Sequence, residues 1–392
     1  MRPRPAQQAA ASGVYAIRFP RLWRPTWAEV DLGALKHNLK RLKSIARVPL
    51  LFVVKADGYG HGAVRVARAA LTTGAVHGLG VSSVEEGAVL REAGIKAPIL
   101  ILGSLYPFES TLATVHYDLT PTVASLDGAR RIHLAARGLK GADRRHLPLT
   151  CHLKIDTGMG RIGVRWPAGR EVVAYLLNAQ GVRLEGLYTH FARAEDSAPV
   201  TRRQLAVFGR AVKETLGMGA RLKWRHAANS AGTILWPESR FDLVRPGLAA
   251  YGLWEGFEPV LSLKTRVVFV KHVPAGVPLG YGGLFRTKRA SRIATLPIGY
   301  GDGLPRLVST GRKRADVLIR GRRCPLAGAI SMDMCMADVT GVPGVSVGDE
   351  VVLIGRSGGE EQAASALAAL AGTIPYEIVT GLTARVPRVY AE

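Results

Sequence analysis

From about residue 27 to residue 250 the chain alternates between short apolar runs and longer stretches with helical periodicity. That alternation restricts the fold more than any other feature. Residues 27–30 form a first strand-like run, and Leu32, Leu35, Leu39 and Leu42 follow at helical spacing. Further strand-like runs lie at residues 50–54, 78–82, 99–102, 119–123, 149–155, 184–189, 222–225 and 241–244. Helical stretches separate most of them, and Ser83 with Glu86 has the spacing of a capping box opening one. Such units predict a parallel sheet joined by crossover helices. Nine runs are one more than a (β/α)8 barrel uses. The eight from Leu50 onward close the barrel, which leaves residues 27–30 to pair elsewhere, with a second domain as the natural partner. After residue 256 the pattern changes. Residues 261–271 alternate partly with a period of two, and glycine-rich turns follow at residues 274–276, 280–283 and 299–303. The expected organisation is therefore a flexible N-terminal extension over residues 1–25, a (β/α)8 barrel over 26–255, and a mostly β domain over 256–392. One helix is expected in the last, near 361–371.

Composition narrows the function classes. With 47% hydrophobic and 21% charged residues the chain forms a core. No run approaches the ~18 apolar residues needed to cross a bilayer, and the basic N-terminus has no apolar h-region, so no membrane association and no signal peptide are expected. Three cysteines at unrelated spacings point to a reducing cytoplasm rather than a disulfide framework or a metal site. Lys plus Arg number 53 against 30 for Asp plus Glu, a net charge of +23. The basic residues are scattered and no recognition motif accompanies them, so nucleic acid is not the expected partner. A basic surface that draws in anionic substrates and phosphates accounts for the charge better.

The run at 50–54 ends in Lys55, with Gly58, Gly60 and Gly62 close behind. Burial at a strand end lowers a lysine's pKa and frees the amine as a nucleophile, while glycines let the backbone approach a ligand. The plainer reading is a lysine reaching from a strand end into water. Other strand ends carry comparable features. Lys154, Asp156 and Arg161 lead into a glycine-rich loop, His190 ends one run, His226, Asn229 and Ser230 follow another, and Arg245 and Gly247 follow the last. Barrel active sites lie at these ends. Singly, each is also a turn, a core histidine, a salt bridge (Lys154 with Asp156) or a helix N-cap (Asn229 or Ser230).

The string Val53-Val-Lys55-Ala-Asp-Gly-Tyr59-Gly-His61-Gly62 resembles the cofactor-lysine signature of the alanine racemases, which use pyridoxal 5′-phosphate (PLP). Later segments resemble the same family in order, over all but about the first 25 residues. The resemblance implies that Lys55 carries PLP and that Tyr59, Asn229, Ser230, the backbone at Gly247 and Leu248, and Tyr376 hold the cofactor, most of them at its phosphate. It sets Arg245 against the pyridine nitrogen, His226 behind Arg245, and His190 near the ring. Arg161 matches the arginine beside the substrate carboxylate, and Lys154 a lysine that is carbamylated in some members. Racemisation needs a base on each face of the substrate carbon. Tyr281, in Gly280-Tyr-Gly-Gly283, resembles the second base, which in the family comes from the other subunit of a homodimer with shared sites. Without the resemblance it reads as a packed turn. Met332 matches the residue whose amide binds the substrate carboxylate, with Asp333 beside it, and Tyr300 matches an entrance residue. Ser331 stands where a cysteine is common, and Leu279 where small or β-branched residues are more usual. The expected reaction is interconversion of L- and D-alanine by Lys55 and Tyr281, supplying D-alanine for peptidoglycan. PLP-dependent decarboxylases of basic amino acids share the layout but need a carboxylate where Arg245 stands, and single-barrel PLP carriers lack the last ~135 residues.

Overall fold

The computed structural model describes residues 23–311 and 313–392. The expectation for residues 1–25 falls, but for its last three residues, outside them. Eight parallel strand segments form a barrel. Leu50–Val53, Val76–Val81 and Ile99–Ile101 pair in that order, as do Thr122–Val123, Leu149–Asp156, Val182–Tyr188 and Trp224–His226. A parallel bridge from Leu100 to Thr120 joins the two arcs. The segment around Val244 closes the ring, bridging to Leu50 while the Asp242 amide donates to the Arg225 carbonyl. Leu50–Val53 is buried throughout, as an all-apolar strand covered on both faces must be.

Period two within a strand decides what faces the barrel axis. In Leu149–Asp156, Cys151, Leu153 and Ile155 pack outward with Val172, Val173, Leu176 and Phe208 of the surrounding helices. His152 and Lys154 face inward and are 4% exposed each. The axis thus carries a polar layer inside an apolar sleeve. Gly186 is needed there because a Cβ at that position would lie 2.5 Å from the His152 ring.

The first strand, Thr26–Asp31, stays out of the barrel. It pairs antiparallel with Leu261–Arg266 and parallel with Arg388–Ala391. Asp31 then caps the helix Leu32–Ala46 by accepting from the Ala34 amide at 2.8 Å. The C-terminal unit is built on that seven-stranded sheet and a three-stranded one made of Phe269–Val273, Ser291–Leu296 and Cys335–Asp338. The helix expected near 361–371 is shorter, Ala364–Ala371, because Glu360–Gln362 turns back as a strand against Glu350–Ser357. The unit also holds the four-residue helix Leu307–Thr310 and the six-residue helix Pro375–Thr380, which carries Tyr376. The three cysteines are free and buried, and among the described residues no helix is long and apolar enough to cross a membrane.

Candidate active site

The C-terminal ends of the barrel strands open into a cavity of about 630 Å³. It is lined by Lys55, Tyr59, Lys154, Arg161, His190, Asn229, Ser230, Arg245, Gly247, Leu248 and Tyr376, all singled out from sequence, together with Tyr188 and Glu195. Four cations face this space, and among the described residues Glu195 is its only acidic lining residue. The charge suits a ligand with a phosphate and a carboxylate.

Lys55 stands one residue past its strand, after Val54, and begins an unusual turn. Ala56, Asp57, Gly58 and Tyr59 all have φ between 51° and 62°. Burial lowers the Lys55 pKa, Arg161 lowers it further and Glu86 opposes them. At Lys154 burial, then Arg245, Arg161 and Lys55, bring the amine down to about 8. Lys154 does not form the ion pair with Asp156. That carboxylate accepts instead from the amides of Gly158 and Gly160 at 3.0 Å each, closing the glycine-rich loop, and the Lys154 ammonium lies 5.4 Å from the Tyr188 ring centre.

Arg245 is 3% exposed, and burial brings it down only to about 10, so it stays charged near neutrality. Its Nη1 donates to His226 Nδ1 at 3.0 Å, and Nη2 donates to the carbonyls of Thr189 (2.7 Å) and Ala227 (3.0 Å). A guanidinium can only donate, so His226 Nδ1 is an acceptor and its proton sits on Nε2. That N–H donates to His152 Nδ1 at 2.9 Å, which places the His152 proton on Nε2, 3.8 Å from Glu185. Burial first, then the Arg245 charge, keeps His226 well below the usual histidine range. His190 is likewise low, by burial and Arg245. Among the described residues neither the Nε–H of Arg245 nor the second hydrogen of its Nη1 has a hydrogen-bond partner, so this cavity-lining guanidinium keeps donors free for a ligand.

Also lining the cavity, the Ser230 hydroxyl accepts from the amides of Gly247 (3.1 Å) and Ala249 (3.2 Å), and Asn229 caps the short helix Ser230–Leu235. Gly247 has no side chain for a reason. A Cβ there would sit 2.5 Å from the Tyr59 hydroxyl. The Tyr59 ring stacks on Tyr251 at 4.8 Å and lies 6.0 Å from Tyr376. Burial raises the Tyr59 phenol to about 12 and raises Tyr376 as well, so both remain donors. These features fit PLP: an amine of lowered pKa for its aldehyde, a fixed N–H for its pyridine nitrogen, and hydroxyls beside a bare backbone for its phosphate.

The remaining predicted residues lie elsewhere in this chain. His226 is buried behind Arg245. Tyr281, Tyr300 and Met332 are 72%, 43% and 52% exposed on the C-terminal unit and do not line the cavity. They share one neighbourhood. Gly280 sits against the Ala329 backbone, Gly299 against the carbonyls of Ser331 and Met332, and Asp333 pairs with Arg385 at 2.6 Å. Sequence reasoning overlooks His152, Tyr188, Glu185 and Glu195. The alternation of polar and apolar residues in Leu149–Asp156 is the signal that finds His152.

Two family models match the chain. One, described as alanine racemase, N-terminal domain, covers residues 30–255, and the other, alanine racemase, C-terminal domain, covers 260–390. Among curated proteins, an alanine racemase of Symbiobacterium thermophilum is 49% identical over 94% of this chain and 97% of its own length. One of Desulfovibrio desulfuricans is 43% identical over 94% and 99%. Among solved structures, the alanine racemase of Streptomyces lavendulae superposes with a TM-score of 0.87 at 35% identity, covering 95% of this chain and 98% of the other. That of Bacillus anthracis with bound L-Ala-P gives 0.86 at 35% identity, covering 95% and 96%.

Proposed function

The chain belongs to the alanine racemase family, and from that premise we propose how its residues interconvert L- and D-alanine with PLP held on Lys55. The observation that carries the reading is the pairing of Lys55 and Arg245 across one cation-rich cavity, with the Arg245 Nε–H left unpaired. Bound PLP supplies the electron sink that makes the alanine Cα–H acidic. Lys55, its pKa lowered by burial, moves that proton on the face that gives D-alanine. Tyr281 moves it on the opposite face, the L side. Arg245 keeps its own proton, so it would hold the pyridine nitrogen by donating a hydrogen bond and would give it no charge. That would keep the sink weak and favour return of the proton over side reactions. Tyr59, Ser230, Tyr376 and the backbone at Gly247 and Leu248 bind the phosphate, with Asn229 holding the loop and His190 beside the ring. Arg161 and the Met332 amide orient the substrate carboxylate. Tyr300 and Asp333 shape the entrance, and His226 holds Arg245 in place.

Tyr281, Tyr300 and Met332 stand exposed on this chain's surface, which supports a head-to-tail homodimer in which each copy completes the other's cavity. The division of labour falls near residues 255 and 256, with the barrel binding the cofactor and the C-terminal unit serving the partner. D-alanine for peptidoglycan is the product's use, in a reducing cytoplasm that suits three free thiols. Chiral chromatography after incubation with L-alanine tests the reading. D-alanine should accumulate to an equal mixture, whereas release of CO₂ or an unchanged L-alanine pool rejects it.

A further inference from the structure

Glu86 departs from the role its sequence position suggests. Ser83 caps the helix Val84–Glu92, accepting from the Glu86 amide. In a capping box the Glu86 carboxylate would return to the Ser83 amide. Instead it spans two barrel strand ends. Oε2 accepts from the Ser82 amide at 2.6 Å, just past the strand Val76–Val81, and Oε1 from the Ala56 amide at 2.7 Å.

Ala56 is the residue after Lys55 and the first of five consecutive residues with positive φ. Three of those five, Ala56, Asp57 and Tyr59, are not glycine, and a left-handed conformation is unfavourable for each of them. A turn of this kind persists only where its surroundings over-determine it. Gly58 donates to the Val54 carbonyl at 2.8 Å and Gly60 to the Ala56 carbonyl at 2.9 Å. Farther along, Asp57 accepts from the Ala63 amide at 2.8 Å, and Arg388 donates to the Gly60 carbonyl at 2.9 Å. At the end nearest Lys55, the Glu86 carboxylate is the group that takes the Ala56 N–H.

We propose that Glu86 is a positioning residue for Lys55: its carboxylate clamps the start of the left-handed turn to the neighbouring strand end, so that the amine stays aimed into the cavity. This rests on the reading of Lys55 as the cofactor lysine. A charge-assisted pair of short hydrogen bonds to two separate strands is a stronger tether than a helix cap, and neither bond stabilises the helix Val84–Glu92 itself. The carboxylate also opposes the lowering of the Lys55 pKa. The shorter Glu86→Asp cannot span both amides, and Glu86→Gln has one accepting oxygen for two donors.

Residue-resolved hydrogen exchange on the full chain as purified, wild type against Glu86→Gln and Glu86→Ala, decides the matter. Exchange at Ala56 and Ser82 should rise roughly ten- to hundredfold in Glu86→Ala and by less in Glu86→Gln, with Leu90 and Arg91 in the helix unchanged. In the same variants kcat for alanine should fall while KM holds. Faster exchange throughout Val84–Glu92 with Ala56 unaffected would make Glu86 a helix-end residue and overturn the proposal. The exchange readout does not depend on the reaction. If wild-type protein failed to racemise alanine, the assigned function would fail while the clamp was still decided on its own terms.

Discussion

The two halves of the proposed site differ in how they are held. In the barrel, Lys154, His226 and Arg245 are at most 4% exposed, and Arg245 is fixed by a histidine and two carbonyls. On the C-terminal unit, Tyr281 is 72% exposed and sits in a glycine-rich turn with φ of 72° at both Gly280 and Gly282. A side chain that must hold a cofactor in one geometry is best locked by its own fold. One that must meet a second chain is better left presentable, and its final geometry then belongs to the assembly. On the proposed reading, the difference accounts for one chain carrying both groups while the site is completed by a second copy.

The largest effect should come from the barrel half. Lys55→Ala should abolish retention of visible-absorbing cofactor and lower turnover by roughly 10⁴-fold or more. Spectra and a coupled D-alanine assay on the same sample check both. Tyr281→Phe sharpens the contrast, since it should keep the cofactor spectrum intact while turnover falls about 10²–10⁴-fold. Loss of cofactor in that variant would mean the phenol supports binding rather than proton transfer.

Acid should separate the halves by stability. Burial lowers the pKa of His61 to about 4, and it also holds His152, His190 and His226 below their ordinary 6.5. All four lie in the barrel, and the C-terminal unit holds only His272. Below about pH 6.5 the unfolded chain takes up protons that the native barrel refuses. Stability is therefore present above that pH and declines as pH falls toward the folded values. His61 alone should cost about 2 kcal/mol at pH 5. Urea denaturation monitored at Trp224 or Trp236 should show the midpoint falling between pH 7 and 5, and His61→Asn should flatten that slope.

A smaller effect tests the polar axis. Gly186→Ala puts a methyl into the His152 ring and should destabilise the fold by about 1–3 kcal/mol. It should also release the tautomer order that runs from Arg245 through His226 to His152. Thermal melts give the first effect, and nitrogen-15 shifts of the labelled imidazoles give the second.

Much of this arrangement is legible in the sequence for physical reasons. Barrel strands are short apolar runs that end where the chemistry begins, so Lys55, His190 and Arg245 announce themselves by position. The helix Pro375–Thr380 escapes because six residues, of which Ile378 and Val379 are buried, give too little periodicity to distinguish helix from turn. Glu360–Gln362 reads as the start of a helix because its pairing with Glu350–Ser357 is a tertiary choice. The Glu86 carboxylate is invisible for the same reason. Its spacing to Ser83 matches a local motif, while its partner Ala56 is thirty residues away in sequence.

Mixing inactive copies tests the division between the halves most directly. Lys55→Ala and Tyr281→Phe proteins, each inactive alone, are combined, allowed to exchange subunits, and assayed for racemisation. If each cavity is completed by its partner, hybrid dimers contain one site with both groups intact, and activity should recover to about a quarter of wild type. If the mixture stays as inactive as its components while hybrids form, Lys55 and Tyr281 act within one chain and the account is wrong.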